Sequence, residues 1–366
     1  MSLRLRELLA AFDPGLPLER ARTIPAAWYT DPDLYAAECR SVFGNAWQVV
    51  GRADQIAALG GYLTAEVAGE PLLVVRDTDG TLRGFFNVCR HRAAPLMSDP
   101  CGTATKLRCP YHGWTYDLAG RLRGTPEFDG VADFRREDNG LAPVAVAQWG
   151  PFVWAHLGTP AQPLEDFLAP LPESPAARLA QGLRWHARHE YDLACNWKVF
   201  VDNYLDGGYH INAVHPSLAG VIDYSQYRTD VHAFTSVQSG PLKPADGDRT
   251  AAVRTGERAY YWWVFPNLML NAYAGVLDSN WVLPLGPGRC RVVFDFFFAE
   301  GLPDEFRAES LAVAHQIQLE DGGICEAVQR GLASRSYDTG RFSVRREAAG
   351  YHFHRLLARQ LHPSSA

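Results

Sequence analysis

Apolar and polar positions follow two different rhythms along the chain. Between about residues 47 and 157, hydrophobic residues come in short β-prone runs (47–50, 62–67, 72–75 and 82–88) separated by turn formers. Asp77-Thr78-Asp79-Gly80 reads as a hairpin turn, residues 116–122 repeat that signal, and 151–157 closes the series. The pattern predicts a compact β-domain. Residues 158–177 carry five prolines and read as a linker with one short helix. Beyond it, 184–193 reads as a strand, 195–205 as a helix, and 259–299 as long antiparallel strands rich in Trp, Tyr, Phe and Val. A helix is expected from about 304 to 331, with Phe306, Val313, Ile317, Ile324 and Val328 on one inward stripe. Asp321 falls on that stripe, where a carboxylate is costly unless it is paired or bound to a metal. Residues 1–12 read as a short amphipathic helix, and 1–43 and 344–361 supply helical pieces expected to pack on the second domain. The expected organisation is therefore α+β, with a helical segment 1–43, a β-domain 44–160 and a second domain 161–366.

Composition adds limits to this picture. A length of 366 residues suits about two domains, and 47% hydrophobic with 21% charged residues is ordinary for a globular chain. A net charge of −6 gives no electrostatic reason to bind nucleic acid or anionic lipid. No apolar run approaches the roughly 20 residues of a membrane span, and the N-terminus lacks the features of a signal peptide. The seven cysteines are odd in number and scattered, which argues against a disulfide scaffold and for a reducing compartment. A cytoplasmic location is expected.

Two constellations carry chemistry. The first is Cys89-Arg90-His91 followed by Cys109-Pro110-Tyr111-His112, two loops that each offer one thiolate and one imidazole. Such a set can hold a tetrahedral zinc, or an iron–sulfur cluster with two Cys on one iron and two His on the other. Cys-x-His is unusual spacing for a zinc finger, and the Cys-Pro-Tyr-His-Gly-Trp context points to a Rieske [2Fe–2S] centre. Replacing two thiolates by neutral imidazoles raises the potential of such a cluster, which suits single-electron delivery to a second redox centre. Cys39, Cys101, Cys195, Cys290 and Cys325 read as structural thiols.

The second constellation lies in Asp202-Asn203-Tyr204-Leu205-Asp206-Gly207-Gly208-Tyr209-His210-Ile211-Asn212-Ala213-Val214-His215-Pro216. Five residues of regular helix would separate the two imidazoles by about 140°, so a common ligand face needs a π-like or broken turn. The glycine pair before His210 and Pro216 after His215 favour one. Two imidazoles and the Asp321 carboxylate form a 2-His-1-carboxylate facial triad, the ligand set of non-haem Fe(II) oxygenases with positions open to O₂.

Together the two motifs resemble the catalytic α-subunits of the Rieske non-haem iron oxygenases over nearly the whole chain. Residues 202–210, 265–271, 278–287 and 319–329 are similar to the choline monooxygenases within that family. The resemblance implies a Rieske domain, a helix-grip (START-like) catalytic domain with an antiparallel sheet, and head-to-tail homotrimers in which one subunit's cluster feeds its neighbour's iron. It implies Cys89, His91, Cys109 and His112 as cluster ligands and His210, His215 and Asp321 as ligands of a mononuclear Fe(II). The family also has an acidic residue three before the first His, bridging the two centres. That position is Gly207 here, so Asp206 is the first candidate for the bridge and Asp202 the second.

The implied reaction is O₂ activation at the iron with electrons from the cluster. No Gly-x-Gly-x-x-Gly fingerprint follows a strand, so electrons from NAD(P)H are expected through a separate ferredoxin or flavin reductase. The choline monooxygenase likeness points to hydroxylation of a quaternary ammonium compound such as choline, to betaine aldehyde hydrate. Such a cation favours an aromatic cage, for which Tyr204, Trp263, Tyr273 and Trp281 are the candidates. The same aromatic lining would accept aromatic-ring hydroxylation or O- or N-demethylation. A different class, a Rieske electron carrier or a ligand-binding protein, would have no use for His210, His215 and Asp321 together.

Overall fold

The strand-forming runs of the first half pair into one seven-stranded antiparallel sheet. Its spatial order is Gln48–Arg52, Phe152–His156, Pro143–Trp149, Leu82–Phe86, Glu70–Arg76, Gly61–Val67 and Cys101–Thr103. The hairpin turn forms where expected, with the Gly80 amide donating to the Asp77 carbonyl at 3.0 Å and Gly80 at φ +83°. A second, three-stranded sheet (Leu107–Arg108, Thr115–Tyr116 and Leu122–Gly124) gives Leu107, Tyr116 and Leu122 to a core shared with Leu73, Val75 and Phe85. The loop of Cys109 and His112 joins the first two of these strands, and the loop of Cys89 and His91 follows strand Leu82–Phe86 of the larger sheet.

The computed structural model describes residues 2–244 and 248–362; Met1, 245–247 and 363–366, which fall within the expected segments, lie outside them. The chain forms two units, Phe43–Leu164 on the one hand and Met1–Val42 with Glu165–Ala366 on the other.

The second unit is built on a seven-stranded antiparallel sheet. Its order is Arg184–Leu193, Arg289–Phe298, Val276–Gly286, Leu268–Tyr273, Arg258–Val264, Thr235–Pro241 and Arg228–Val231. Helix Trp197–Tyr204, capped by the Asn196 side chain accepting from the Lys198 amide at 3.0 Å, lies against the central strands. Helix Asp304–Leu332 packs on it, which gives the α+β helix-grip arrangement. The N-terminal segment is tied in by a fully buried ion pair, Lys198 Nζ to Glu38 Oε1 at 2.6 Å, with Trp197 Nε1 donating to the same carboxylate at 2.9 Å.

Two expectations change. The segment expected to hold one short helix holds two, Leu164–Leu168 and Pro175–Leu179, with a 3₁₀ turn between them. The long helix buries its apolar stripe only in part: Val313 is buried, but Ile324 and Val328 are exposed, while Ser310, Gln318, Gly322, Cys325 and Leu332 are buried. At about 100° per residue, the inward face is rotated by about 70° from that stripe. The rotation brings Asp321 closer to the middle of the inward face than Ile324.

Candidate metal centres and active-site cavity

Each Cys/His loop of the first unit closes on itself through reciprocal backbone bonds. The Cys89 amide donates to the Ala94 carbonyl and the Ala93 amide to the Cys89 carbonyl, both at 2.9 Å. In the second loop Cys109 and Trp114 are joined at 2.8 Å, and the Gly113 amide donates to the Cys109 carbonyl at 3.0 Å. The turn positions require left-handed backbone, at Ala93 (φ 60°) and Gly113 (φ 73°). Both thiols are buried, whereas His91 is half-buried and His112 exposed. The imidazoles meet edge to face with centroids 4.6 Å apart, and His91 stacks on Trp114 at 4.9 Å. His91 Nδ1 is buried without a hydrogen-bond partner, an orphan that a metal ion would satisfy. Burial, with the neighbouring His112, holds the His91 pKa down and keeps the ring in its neutral, ligating form. Tyr116 Oη accepts from the Arg90 amide at 3.1 Å and stands 3.5 Å from Cys89 Sγ, so a donor is in place for a cluster thiolate. Cys195, Cys290 and Cys325 are buried in the other unit, and Cys101 is exposed.

In the second unit, His210 and His215 flank a single helical turn, Ile211–Val214, and His215 leaves helical geometry at φ −116°, ψ 79°. This is the broken turn that a shared ligand face needs. The imidazole centroids are 5.1 Å apart. Both Nε2 atoms converge on Asp321 Oδ1, at 3.1 Å from His215 and 3.8 Å from His210, and one ligand atom from each of the three residues lies within 4.8 Å of the others.

The outer nitrogens are equally organised. His210 Nδ1 bonds Asp206 Oδ2 and His215 Nδ1 bonds Glu320 Oε2, both at 2.7 Å. Asn203 Nδ2 donates to Asp321 Oδ1 at 2.7 Å. Carboxylates on the outer nitrogens fix the tautomer that leaves Nε2 free to ligate, so the residues fit an iron ion. Burial alone would lower the His215 pKa, but Asp321 and Glu320 together leave it raised. Glu320 and Asn203 were not singled out from the sequence; their only signal there is adjacency to Asp321 and a place inside the Asp202–His210 motif.

Asp206 also accepts from the Tyr209 and His210 amides, at 3.0 and 2.9 Å. This cap depends on Gly207 and Gly208, at φ +70° and +73°. A Cβ on Gly207 would meet the Arg346 carbonyl oxygen at 2.1 Å, so no side chain fits there. The carboxylate of this turn stands one residue earlier, at Asp206. Asp202 points elsewhere, to Tyr29 Oη at 2.5 Å and His354 Nε2 at 2.8 Å.

A cavity of about 110 Å³ opens onto His210, His215 and Asp321. Ala314, Ile317 and Gln318 of the long helix form one wall, and Tyr261, Tyr273 and Asp278 of the sheet form another. Of the four aromatic candidates, Tyr204 and Tyr273 line it; Trp263 and Trp281 do not. Trp263 is fully buried against Phe265 and Phe353. Trp281 alternates with Asn280, which faces the cavity, and so points to the opposite side of the sheet. Tyr209 is exposed. No helix among the described residues is long and apolar enough to cross a membrane.

Comparison with known proteins bears on both units. Residues 46–135 match the Rieske [2Fe–2S] domain, and residues 181–362 match the catalytic domain of the ring hydroxylating alpha subunit. Choline monooxygenase (chloroplastic) of Arabidopsis thaliana is 40% identical, over 98% of this chain and 87% of its own. The carnitine monooxygenase oxygenase subunit of Escherichia coli K12 is 31% identical, over 93% of this chain and 94% of its own. The solved structure of a quaternary ammonium Rieske monooxygenase, described for carnitine oxidation by gut microbiota, superposes with a TM-score of 0.84 at 27% identity, covering 95% of this chain and 99% of that one.

Proposed function

The chain belongs to the Rieske non-haem iron oxygenases, and from that membership we propose that it hydroxylates a small quaternary ammonium compound such as choline. It is an oxidoreductase whose cofactors are a Rieske [2Fe–2S] cluster, a mononuclear iron and O₂. The observation that carries the substrate reading is the cavity beside His210, His215 and Asp321, walled by tyrosines and a buried carboxylate, in a chain similar to enzymes of choline and carnitine.

Cys89, His91, Cys109 and His112 would hold the cluster, and His210, His215 and Asp321 the iron. When bound, the two centres supply reductive O₂ activation, in which substrate C–H, O₂, two electrons and two protons give the C–OH product and water. For choline the product is the hydrate of betaine aldehyde. Asp206 and Glu320 orient His210 and His215 through Nδ1, and Asn203 holds one Asp321 oxygen. We assign Asp206 the further role of carrying a proton or bridging to a neighbouring subunit's cluster, because Asp202 is held by Tyr29 and His354. The tyrosines of the wall exclude bulk water and offer π-faces to an ammonium group.

The working form is a homotrimer supplied by a separate NAD(P)H-dependent reductase, in the cytoplasm, where the unpaired cysteines stay reduced. Oxygen uptake with a surrogate reductase tests the reading across choline, carnitine, betaines and aromatic acids. Uptake matched by hydroxylated product is expected for a quaternary ammonium compound; matched product from aromatic acids alone would overturn it.

A further inference from the structure

Asp278 sits on strand Val276–Gly286 in the cavity wall and is 8% exposed. Among the described residues its carboxylate's one hydrogen bond comes from a neutral amide, Asn271 Nδ2 to Oδ1 at 2.6 Å. Asn271 is in turn held by Tyr204, whose Oη donates to Asn271 Oδ1 at 2.9 Å. The charged and titratable groups around the carboxylate are Arg254, Tyr204, Tyr261 and Tyr273. Arg254 is held by Tyr273 and Thr250, with Nε donating to Tyr273 Oη at 3.2 Å, Nη1 to the Thr250 carbonyl at 3.4 Å and the guanidinium 5.5 Å from the Tyr273 ring centroid, and its charge also lowers the Asp278 pKa. Among the described residues Asp278 makes no ion pair.

A buried carboxylate without a contact cation is expensive, and it persists where something else repays the charge. Buried Arg254 in the same wall repays part of that charge from beyond ion-pair distance, and the carboxylate borders the cavity. A quaternary ammonium ion has no N–H to donate, so it can be recognised only by charge and by π-faces. The wall offers both, with Tyr261 and Tyr273 lining the cavity beside the carboxylate; their hydroxyls bond each other at 3.1 Å, and Arg254 covers one face of Tyr273.

Resting on the quaternary ammonium reading above, we propose that Asp278 is the specificity-determining residue that selects a cationic substrate over an uncharged molecule of the same shape. Its carboxylate supplies the counter-charge, Asn271 and Tyr204 hold it in place, and Tyr261 and Tyr273 supply the aromatic faces.

Calorimetric titration of the full-length protein with choline, and with the dimethylbutanol in which carbon replaces the choline nitrogen, tests this. The wild type is expected to bind the cation about tenfold or more tightly than the isostere. Asp278→Asn keeps the bond from Asn271 and the shape, and is expected to erase that preference by weakening choline alone. An Asp278→Asn protein that retains the preference overturns the assignment while leaving the proposed function standing. A wild type that binds no quaternary ammonium ion overturns both. If the variant loses the cluster's visible spectrum, the wild type decides, because burial raises the Asp278 pKa to about 6. The preference must then fall as pH is lowered through that value, and a pH-independent preference overturns the assignment.

Discussion

Asp206 and Asp278 are both carboxylates near the candidate iron site, yet their surroundings assign them opposite tasks. Asp206 accepts two amides and an imidazole N–H, so its charge is well compensated. Asp206→Asn is expected to keep the cluster spectrum and iron content while turnover falls by about two orders of magnitude; normal turnover would remove it from the mechanism. Asp278 has lost its hydration with little in return, and its carboxyl titrates near 6. The folded state therefore holds a proton more tightly than the unfolded chain, where the carboxyl titrates near 3.9. The stability tied to that proton is present below the unfolded pKa and is lost as pH rises through about 6. Asp278→Asn should therefore raise the melting temperature at pH 8, by a free energy on the order of 3 kcal/mol, and leave it nearly unchanged at pH 4. An equal shift at both pH values would contradict this. The residue that weakens the empty protein is the one proposed to strengthen the complex.

Among the elements, the glycine pair Gly207-Gly208 shapes the turn that sets Asp206 against His210. Gly207→Ala combines a left-handed backbone with a clash on the Arg346 carbonyl, and should cost roughly 2 kcal/mol or more and lower iron content. Retained iron with unchanged melting would show the turn to be adaptable. The buried Glu38–Lys198 pair ties the N-terminal segment to helix Trp197–Tyr204, so Lys198→Met alone should cost about 3–5 kcal/mol by stranding Glu38. At this scale the sequence was legible where a motif sets both chemistry and spacing. The strands, the two Cys/His loops and the break between His210 and His215 all follow from local turn chemistry and alternation. The long helix was readable as a helix, but not in its rotation, because Gln318, Gly322 and Cys325 are buried for reasons of neighbour size that hydrophobicity does not carry. The pocket aromatics were harder still: Trp263 and Tyr261 share a face of their strand, and the packing of Phe265 and Phe353 on Trp263 separates core from cavity. Glu320 and Asn203 become visible only once the helices are placed.

The whole molecule joins an electron-transfer unit to an oxygenase unit in one chain. Fully loaded protein is expected to contain three iron atoms per chain, two of them in the cluster, and a chelator that removes the third should leave the visible spectrum intact; loss of both together would contradict independent centres. The ligand set has a further mechanical consequence. His215 and Asp321 are 106 residues apart, and His210 sits on a turn only four residues long. An ion gripped by all three would act as a cross-link that closes a ring of more than a hundred residues of chain. Tyr209, exposed beside the short turn, then becomes a reporter of that closure. Chymotrypsin should nick the iron-free protein there and spare the loaded one, so that metal supply sets the lifetime of the polypeptide as well as its activity.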